Sequence, residues 1–382
     1  MNQRLVLIGG GHSHAIALRQ WGLNPLPNVD LTLITDVEQI PYSGMLPGHV
    51  AGFYSYEATH IDLRSLAEFA DAALIIDQAI DIDMDKNQVI CTNHQVEFDY
   101  LSLDIGSTPQ MLTAPGAKEY AIPAKPVPVF LEAWHKLKQS VASNSETPLS
   151  IVIVGGGAGG VELALNMQAC LQRILKDILK DKGKNTLEIH LIHRGQQLLS
   201  SHNDWVSNKL EKIIRQRGIK LHLQQSVTEV LPDRVICQSR LSIKFSHLFW
   251  VTQATAPKWI KESNLACDQQ GFILVNDTLQ SISHPHVLAA GDIATMINYN
   301  RPKAGVFAVR QGQPLFNNWR CLLLDQPLQE YVPQDKYLAL IGTGDRKAIA
   351  SWDSFACQSR AFWWLKDYID RKFMSQFSDL LA

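Results

Sequence analysis

Two stretches of the chain repeat one pattern of apolar and polar positions. Each contains at least four consecutive apolar residues, then a cluster of glycines, and then a segment whose apolar positions have helical spacing. The stretches lie within residues 4–15 and 151–162. A short run that is apolar at every position is typical of a parallel β-strand, because such a strand is buried on both faces. The pattern therefore predicts two strand–turn–helix units, roughly 145 residues apart, which is about the length of a typical domain.

The first glycine cluster has the chemistry of a loop that binds a dinucleotide. Gly9 allows a tight turn, and Gly11 allows a pyrophosphate to come against the backbone. The helix that starts near His12 points its N-terminal amides at that phosphate, which makes His12, Ser13 and His14 candidate contacts. His14 stands in the place of the usual third glycine and weakens the match, because that glycine allows a helix and a strand to pack closely. A buried turn without a ligand is the alternative.

The second glycine cluster has the complete spacing, with Gly155, Gly157 and Gly160 all in place. Two such units in one chain are hard to explain as coincidence. We therefore predict that the chain holds two dinucleotides.

Two acids stand where a bound dinucleotide would need a carboxylate. Asp36 follows a predicted strand at residues 29–35, about 20 residues past the first loop, which is the usual place of an acid that binds a ribose hydroxyl. A solvated turn is the alternative for Asp36. Asp292 follows a buried strand and Gly291, at the start of a predicted helix. It is either the N-cap of that helix or a ligand for a polyol hydroxyl.

Composition and charge exclude several classes of function. Of the 382 residues, 35 are basic and 37 acidic, and the net charge of −2 makes nucleic acid an unexpected partner. The N-terminus enters the first strand directly and no apolar run is long enough to span a bilayer, so we expect a cytoplasmic protein or one bound to a membrane face. The cysteines form no CxxC pair and no cluster with histidines, so neither zinc nor a vicinal dithiol is predicted. They are Cys91, Cys170, Cys237, Cys267, Cys321 and Cys357.

These motifs resemble those of flavoproteins with two dinucleotide-binding domains, of the pyridine nucleotide-disulfide oxidoreductase class, over almost the whole chain. The resemblance implies that the first glycine loop binds FAD and the second binds NADH or NADPH. It also implies that Gly291 and Asp292 hold the ribityl chain of FAD. Residues 99–107 look like a strand of this family with Gly106 as a candidate cofactor contact, although Asp104 stands where the family usually has alanine.

Three segments narrow the resemblance. Residues 159–164 are similar to type II NADH dehydrogenases, in which the glutamate that matches Glu162 lies near the nicotinamide. Residues 302–312 look closer to sulfide:quinone reductases. The sequences GGGHSH, PYSGMLPG and KAGVFAVRQG resemble a branch whose members also occur fused to selenophosphate synthetase.

The implied fold is α/β, with two Rossmann-like dinucleotide-binding domains for FAD and NAD(P)H and a C-terminal helical region. We expect the FAD-binding domain in residues 1–120 and 272–320. We expect the NAD(P)-binding domain in residues 121–271 and the C-terminal region in residues 321–382.

The implied activity is transfer of hydride from NAD(P)H through FAD to a second acceptor, for which a quinone is the first candidate. Glu162 would position the nicotinamide and Lys303 would stabilise the reduced flavin. A first-turn helix acid and a solvated loop lysine are the alternatives. His193 and Arg194 lie where an NADH enzyme usually has a carboxylate, so we predict that Arg194 gives a preference for NADPH. A plain surface pair is the alternative. Two rival functions are oxidation of sulfide or selenide at the flavin, and a non-catalytic, flavin-bound partner in selenium metabolism.

The C-terminal segment at residues 359–374 has an apolar stripe at helical spacing with basic residues around it. The resemblance implies a membrane-facing helix beside a quinone site, so we predict peripheral membrane contact. Packing on the protein's own core or on a second subunit in a homodimer is the alternative. The stripe consists of Phe362, Leu365, Ile369 and Phe373, and the basic residues are Arg360, Lys366, Arg371 and Lys372.

Overall fold

The computed structural model describes residues 2–109, 114–143, 148–179, 187–252, 254–378 and 380. Short 3₁₀ turns occur at Glu57–Thr59, Gly291–Ile293 and Ser375–Phe377. The α-helices of the described residues are α1 (His12–Leu23), α2 (Leu46–Val50), α3 (Leu63–Phe69), α4 (Ala117–Tyr120), α5 (Val127–Ser143), α6 (Ala158–Leu179), α7 (Asp204–Gln216), α8 (Lys258–Glu262), α9 (Gly305–Leu323) and α10 (Arg360–Met374).

The first apolar run forms the central strand of a five-stranded parallel sheet. Its residues from Leu5 to Ile8 are at most 2% exposed, as expected for a strand that is covered on both faces. Helix α1 leads from this strand to the next one and packs against α9. In spatial order the strands are Val287–Ala289, Tyr100–Leu103, Gln3–Ile8, Val29–Thr35 and Ala73–Ile76.

The second apolar run is the central strand of another five-stranded parallel sheet. A proline-dense connector, residues 115–128, contributes the short edge strand of this sheet. Helix α6 follows the second glycine loop. In spatial order the strands are Ile122–Pro123, His247–Trp250, Leu149–Val154, Leu187–Ile192 and Lys220–His222. Two dinucleotide-binding folds of the predicted kind are therefore present.

Smaller sheets complete the described part of the fold. The C-terminal region contains, besides the expected helix α10, a three-stranded antiparallel sheet. The three-stranded antiparallel sheets are Ala79–Asp83, Gln88–Cys91 and Gln95–Glu97; Val227–Leu231, Arg234–Cys237 and Ser242–Lys244; and Ala339–Gly342, Ala348–Trp352 and Phe355–Ser359. The strand pairs are Gln39–Pro41 with His60–Asp62, Thr108–Pro109 with Ala254–Thr255, and Ile273–Val275 with Ala294–Met296.

Parts of residues 254–265 contact the first domain, although the expected boundary lies at residue 271. Ala254–Thr255 pairs with Thr108–Pro109, where the chain leaves the first domain. Ile260 and Leu265 are buried in the same core cluster as the first parallel sheet. We therefore propose that the second domain ends near residue 252.

A search of the described helices finds none that combines the length and the apolar character needed to cross a membrane.

Candidate functional site

The carboxyl ends of three neighbouring strands of the first sheet bring distant segments together. Gly9, Asp104 and Gly291 follow the strands Gln3–Ile8, Tyr100–Leu103 and Val287–Ala289 closely. A Cβ atom added to Gly9 would collide with the backbone of Asp104, and one added to Gly291 would collide with its carboxylate. The segments that the motifs singled out therefore meet at one edge of the sheet, which is where open α/β sheets bind ligands.

The site is open where a cofactor would have to enter. Gly106 has a φ of 70°, and a Cβ atom added to it would have no atom within 4 Å. Asp36 is exposed and follows the strand Val29–Thr35, at the end of the sheet where a ribose hydroxyl is expected. An open glycine and a free carboxylate at this edge fit FAD.

His14 stands in the place of the third glycine of the first loop and supports that loop through its ring. In the second loop, a Cβ atom on Gly160 would collide with the carbonyl oxygen of Gly155. In the first loop, His14 Nδ1 donates to the carbonyl oxygen of Gly9 at 2.6 Å, and Nε2 accepts from Ser102 Oγ at 2.8 Å. Burial lowers the pKa of His14 to about 4, so the ring is neutral and can accept this second hydrogen bond. The ring therefore lies beneath the loop and supports it.

Ser13 and His14, which we expected to contact the cofactor, use their polar groups for hydrogen bonds within the protein. Ser13 Oγ donates to the carbonyl oxygen of Ala308 at 2.8 Å. The backbone N–H groups of Ser13 and His14 donate to Asp104 Oδ2 at 2.8 and 3.1 Å. Both residues are fully buried, so we now assign them to the support of the loop.

The ring of His12 points toward the PYSGMLPG segment. Its Nε2 accepts a long hydrogen bond from the Ser43 N–H at 3.4 Å, and its centroid lies 5.5 Å from that of Tyr42. Burial lowers the pKa of His12 to about 4. His12 is therefore neutral and joins the first glycine loop to this segment.

Asp292 is not a helix N-cap, because it lies inside the 3₁₀ turn Gly291–Ile293, whose N-cap is Ala290. Its Oδ2 instead accepts from Lys125 Nζ at 2.8 Å and from Ser107 Oγ at 3.0 Å. Burial favours the neutral acid, but Lys125 and Ser107 outweigh it and lower the pKa of Asp292 overall. Asp292 is therefore a partly buried carboxylate at the site.

Lys303 is half-buried at the same edge of the first sheet. Its Nζ donates to the carbonyl oxygen of Ala294 and to Thr295 Oγ1, and lies 4.2 Å from the centroid of the Phe272 ring. Burial lowers the pKa of Lys303 to about 8, although Asp292 opposes this shift. These contacts exclude the alternative of a solvated loop lysine.

The second glycine loop leaves one side open. A Cβ atom on Gly157 would have no atom within 4 Å. His193 packs against this loop, and its Nδ1 accepts from the Gly156 N–H at 3.2 Å. Arg194 is exposed beside it. Of the two residues at this strand end, Arg194 is the more exposed to solvent.

Glu162 is partly buried where the second domain meets the C-terminal region. Its Oε1 accepts from the Gly342 N–H at 2.8 Å. Burial raises the pKa of Glu162 to about 7, although the charge of Lys366 opposes this. Lys366 Nζ donates to Asp370 Oδ2 at 2.7 Å and to the carbonyl oxygen of Gly44 at 2.5 Å. Glu162 is therefore no ordinary surface acid of a first helical turn.

The apolar stripe predicted for α10 is divided between two environments. Phe373 is buried and stacks on Tyr42 at a centroid distance of 4.4 Å, whereas Leu365 and Ile369 are exposed. The exposed face also includes Trp364 and Tyr368, which are 69% and 62% exposed. The other face of α10, which includes Phe373 and packs against the protein, carries the ion pair of Lys366 and Asp370.

A family model of the pyridine nucleotide-disulphide oxidoreductases matches residues 3–312. The chain belongs to this family. The family fold covers both parallel sheets and the beginning of α9, the elements that build the site.

Individual relatives agree with this assignment. A probable NADH dehydrogenase of Dictyostelium discoideum is 25% identical over 374 residues, which cover 93% of this chain and 82% of the relative. A type II NADH:quinone oxidoreductase of Haemophilus influenzae is 23% identical over 66% of this chain and 62% of its own length. The structure of NDH2 from Plasmodium falciparum in complex with NADH superimposes with a TM-score of 0.85, at 16% identity, over 99% of this chain and 98% of that one.

This chain contains no disulfide, although the name of its family refers to one. All six cysteines are free thiols, and four of them are buried. Among the described residues, no group of three or more histidine, cysteine, aspartate or glutamate side chains is placed to hold a metal ion.

Sequence reasoning missed two lysines of this site. Lys125 lies in the proline-dense connector, and Lys366 counted only as one of several basic residues on α10. Neither belongs to a local motif, and the signal that separates them from other lysines is the buried carboxylate that each one contacts, Asp292 and Asp370.

Restoring the family's usual glycine at position 14 is expected to destabilise this member. His14→Gly would leave Ser102 Oγ without its partner, empty the space beside the Trp319 ring 5.6 Å away, and place glycine inside a helix. We expect a loss of about 3 kcal/mol in the free energy of unfolding. Urea unfolding checks this, with Gln20→Gly on the same helix as the control for glycine alone. Equal losses in both variants would contradict the supporting role of the ring.

Proposed function

We propose that the chain is a FAD-dependent oxidoreductase that takes hydride from NAD(P)H and passes electrons to a quinone. The observation that carries the proposal is the placement of Glu162. This carboxylate lies near the start of the helix of the second glycine loop, is partly buried, and interacts with Lys366, whose Nζ contacts Gly44 of the first domain. A group at that junction can serve both dinucleotide sites at once.

FAD, when bound, supplies a hydride acceptor at N5 and releases two electrons to the next acceptor. The first domain would hold it through the open turn at Gly106, the carboxylate of Asp36, and Asp292 with its partner Lys125. Lys303 would place positive charge at the same edge of the sheet, where charge develops on reduction. Glu162 would orient the nicotinamide and hold a proton, because its pKa of about 7 lets it carry one at neutral pH.

The names of the relatives support a quinone as the electron acceptor. The protein from Haemophilus influenzae acts on a quinone by its name, and the one from Dictyostelium discoideum is called an NADH dehydrogenase. The six cysteines are free thiols and no two of them are close in sequence, so the chain has no vicinal dithiol for a covalent sulfur relay. This favours direct electron transfer to an acceptor.

Anaerobic stopped-flow mixing of the purified yellow protein with NADPH or NADH tests the proposal. We expect the flavin absorbance to fall after mixing with the nicotinamide nucleotide. It should return when a short-chain ubiquinone is added. Bleaching by sulfide or selenide but not by a nicotinamide would support the chalcogenide-oxidising alternative. A flavin that stays oxidised with all donors would support a non-catalytic partner in selenium metabolism.

Arg194 is expected to set the preference for NADPH. It is exposed at the end of the strand Leu187–Ile192, where a guanidinium can pair with a 2′-phosphate. Arg194→Glu should lower kcat/KM for NADPH by about 30-fold, since it replaces an attraction with a repulsion. The same measurement with NADH should change much less.

Lys212→Glu is the control for this prediction, because it changes an exposed residue on α7 of the same domain by the same charge. If the wild-type protein uses NADH and NADPH equally, or if both variants respond alike, the assignment of Arg194 is wrong.

The exposed face of α10 is expected to bind an anionic membrane surface. Trp364, Leu365, Tyr368 and Ile369 are each at least 38% exposed, and the exposed cation Lys372 lies on the same face. Burial of aromatic and aliphatic side chains beside basic residues is the usual basis of interfacial binding. A double variant, Trp364→Ser with Tyr368→Ser, should reduce flotation with anionic liposomes at least tenfold, because each lost side chain contributes about 1.5–3 kcal/mol.

Trp205→Ser is the matched control, since Trp205 is 44% exposed on α7 of the second domain. If the intact protein fails to float and elutes as a dimer that the double variant dissociates, the face is a subunit interface instead.

A further inference from the structure

Asp104 is a buried carboxylate in the middle of the FAD site. It follows the strand Tyr100–Leu103 and is 2% exposed. Cβ atoms added to Gly11 or to Gly291 would both collide with its carboxylate group. Asp104 therefore fills the space between the first glycine loop and the turn that carries Asp292.

The carboxylate of Asp104 occupies the N-terminus of α1. Its Oδ2 accepts from the backbone N–H groups of Ser13 and His14, at 2.8 and 3.1 Å. These groups belong to the first turn of the helix, whose positive dipole end is the place where a glycine loop binds a pyrophosphate. The chain thus supplies an anion of its own at the helix terminus that the cofactor would use.

The electrostatic surroundings of Asp104 disfavour a second anion. Two titratable groups act on the carboxylate: Asp292 on the 3₁₀ turn, whose negative charge repels it, and His14 on α1, which is neutral and whose backbone N–H donates to it. Lys125 contacts the carboxylate of Asp292, where its charge is partly neutralised. Burial, aided by Asp292, raises the pKa of Asp104 to about 7.

We propose that Asp104 couples FAD binding to the uptake of one proton: it caps α1 as a carboxylate when the site is empty and becomes a neutral carboxylic acid when the FAD pyrophosphate reaches the same helix terminus. The proton comes from solvent and stays on the Asp104 carboxyl group. No bond to the cofactor forms or breaks. This inference rests on the proposed binding of FAD by the first glycine loop.

The proposal fixes the direction of the pH dependence. The pyrophosphate disfavours the charged form of Asp104, so the pKa of Asp104 is higher with FAD bound than without it. FAD affinity is therefore greatest at low pH, where Asp104 is protonated in both states. It falls as the pH rises above the pKa of the empty site, by about tenfold per pH unit for one linked proton.

Titration of the apoprotein with FAD tests the coupling. Flavin fluorescence gives the Kd between pH 6 and 9, and calorimetry at pH 7.5 in two buffers of different ionisation enthalpy gives the number of protons taken up. We expect the wild-type Kd to rise at least tenfold from pH 7 to pH 8.5, with net proton uptake. Asp104→Asn should show a flat Kd, no uptake, and tighter binding than wild type at pH 8.5.

Asp62→Asn is the matched control, because Asp62 also accepts from two backbone N–H groups at a helix N-terminus, that of α3, and is exposed. It should leave both the Kd and the proton count unchanged. If Asp104→Asn does not fold, Asp104→Ala, which carries the family's usual residue, replaces it.

Tight FAD binding by the wild type without proton uptake and with a flat Kd would overturn the role of Asp104 and leave the FAD assignment standing. Uptake that persists in the Asp104 variant would assign the proton to another group and overturn the inference as well. Absence of FAD binding by the wild type at every pH would overturn both the cofactor assignment and this inference.

Discussion

Replacement of Asp292 by alanine is expected to remove most of the FAD from the purified protein. The carboxylate is only 15% exposed and holds Lys125 Nζ and Ser107 Oγ within 3.0 Å, at the edge of the sheet where Gly106 opens. Its loss would take away the acceptor for a polyol hydroxyl and leave Lys125 without its carboxylate partner. We expect a loss of about 3 kcal/mol, or more than a hundredfold in the Kd for FAD.

The ratio of absorbance at 450 and 280 nm after desalting, followed by titration with FAD, measures this effect. Asp345→Ala is the control, because Asp345 also pairs with a basic residue, Arg217 at 3.0 Å, in a different part of the structure. A variant at position 292 that stays as yellow as wild type would show that this carboxylate does not hold the cofactor.

Glu162→Gln is expected to slow turnover about a hundredfold and to flatten its pH profile. Glutamine keeps the shape of the side chain and an oxygen to accept from the Gly342 N–H, but it can neither lose nor carry the proton. The pKa of about 7 predicts that wild-type activity changes with an inflection near neutral pH. We expect activity to fall above that inflection, because reduction of a quinone to a quinol consumes protons that the protonated form can supply.

A stability measurement separates this role from a structural one. The pKa of Glu162 is raised from an ordinary 4.5 to about 7 in the folded state, so its contribution to stability is full below 4.5 and is lost as the pH rises through 7. Glu162→Gln should therefore be at least as stable as wild type at pH 8 while being slower. Glu188→Gln, at an exposed carboxylate of the same domain, should change neither property. Slow turnover caused by an unstable variant, or an unchanged pH profile, would contradict the catalytic role.

Local pattern was enough to predict the two parallel sheets. A short run of four apolar residues that ends in glycines is typical of a strand covered on both faces. Glycine is favoured where the backbone turns with positive φ, as Gly9 and Gly155 do at 88° and 130°. These requirements involve residues that are neighbours in the chain, so they can be recognised without knowledge of the tertiary structure. The acids Asp36 and Asp292 were found by their distance from such strands for the same reason.

The roles of individual side chains at the site could not be predicted from local sequence in this way. Whether His14 faces a ligand or supports the loop depends on Ser102 and on the carbonyl oxygen of Gly9, and Ser102 is 88 residues away. Lys125 became a site residue only because a strand 167 residues later ends beside it. Spacing along the chain carries no information about such encounters.

The sequence by itself determined the two glycine loops, their strands and helices, and the apolar character of α10, because each depends on residues within a few turns of one another. Only the tertiary structure decided which face of α10 is docked. Apolar spacing placed Leu365, Ile369 and Phe373 in one stripe, yet Phe373 is buried whereas Leu365 and Ile369 are exposed. The ion pair of Lys366 and Asp370 lies inward, where Lys366 reaches the carbonyl oxygen of Gly44. A buried ion pair is stable only where partners from elsewhere in the chain satisfy it, and those partners are absent from any local pattern.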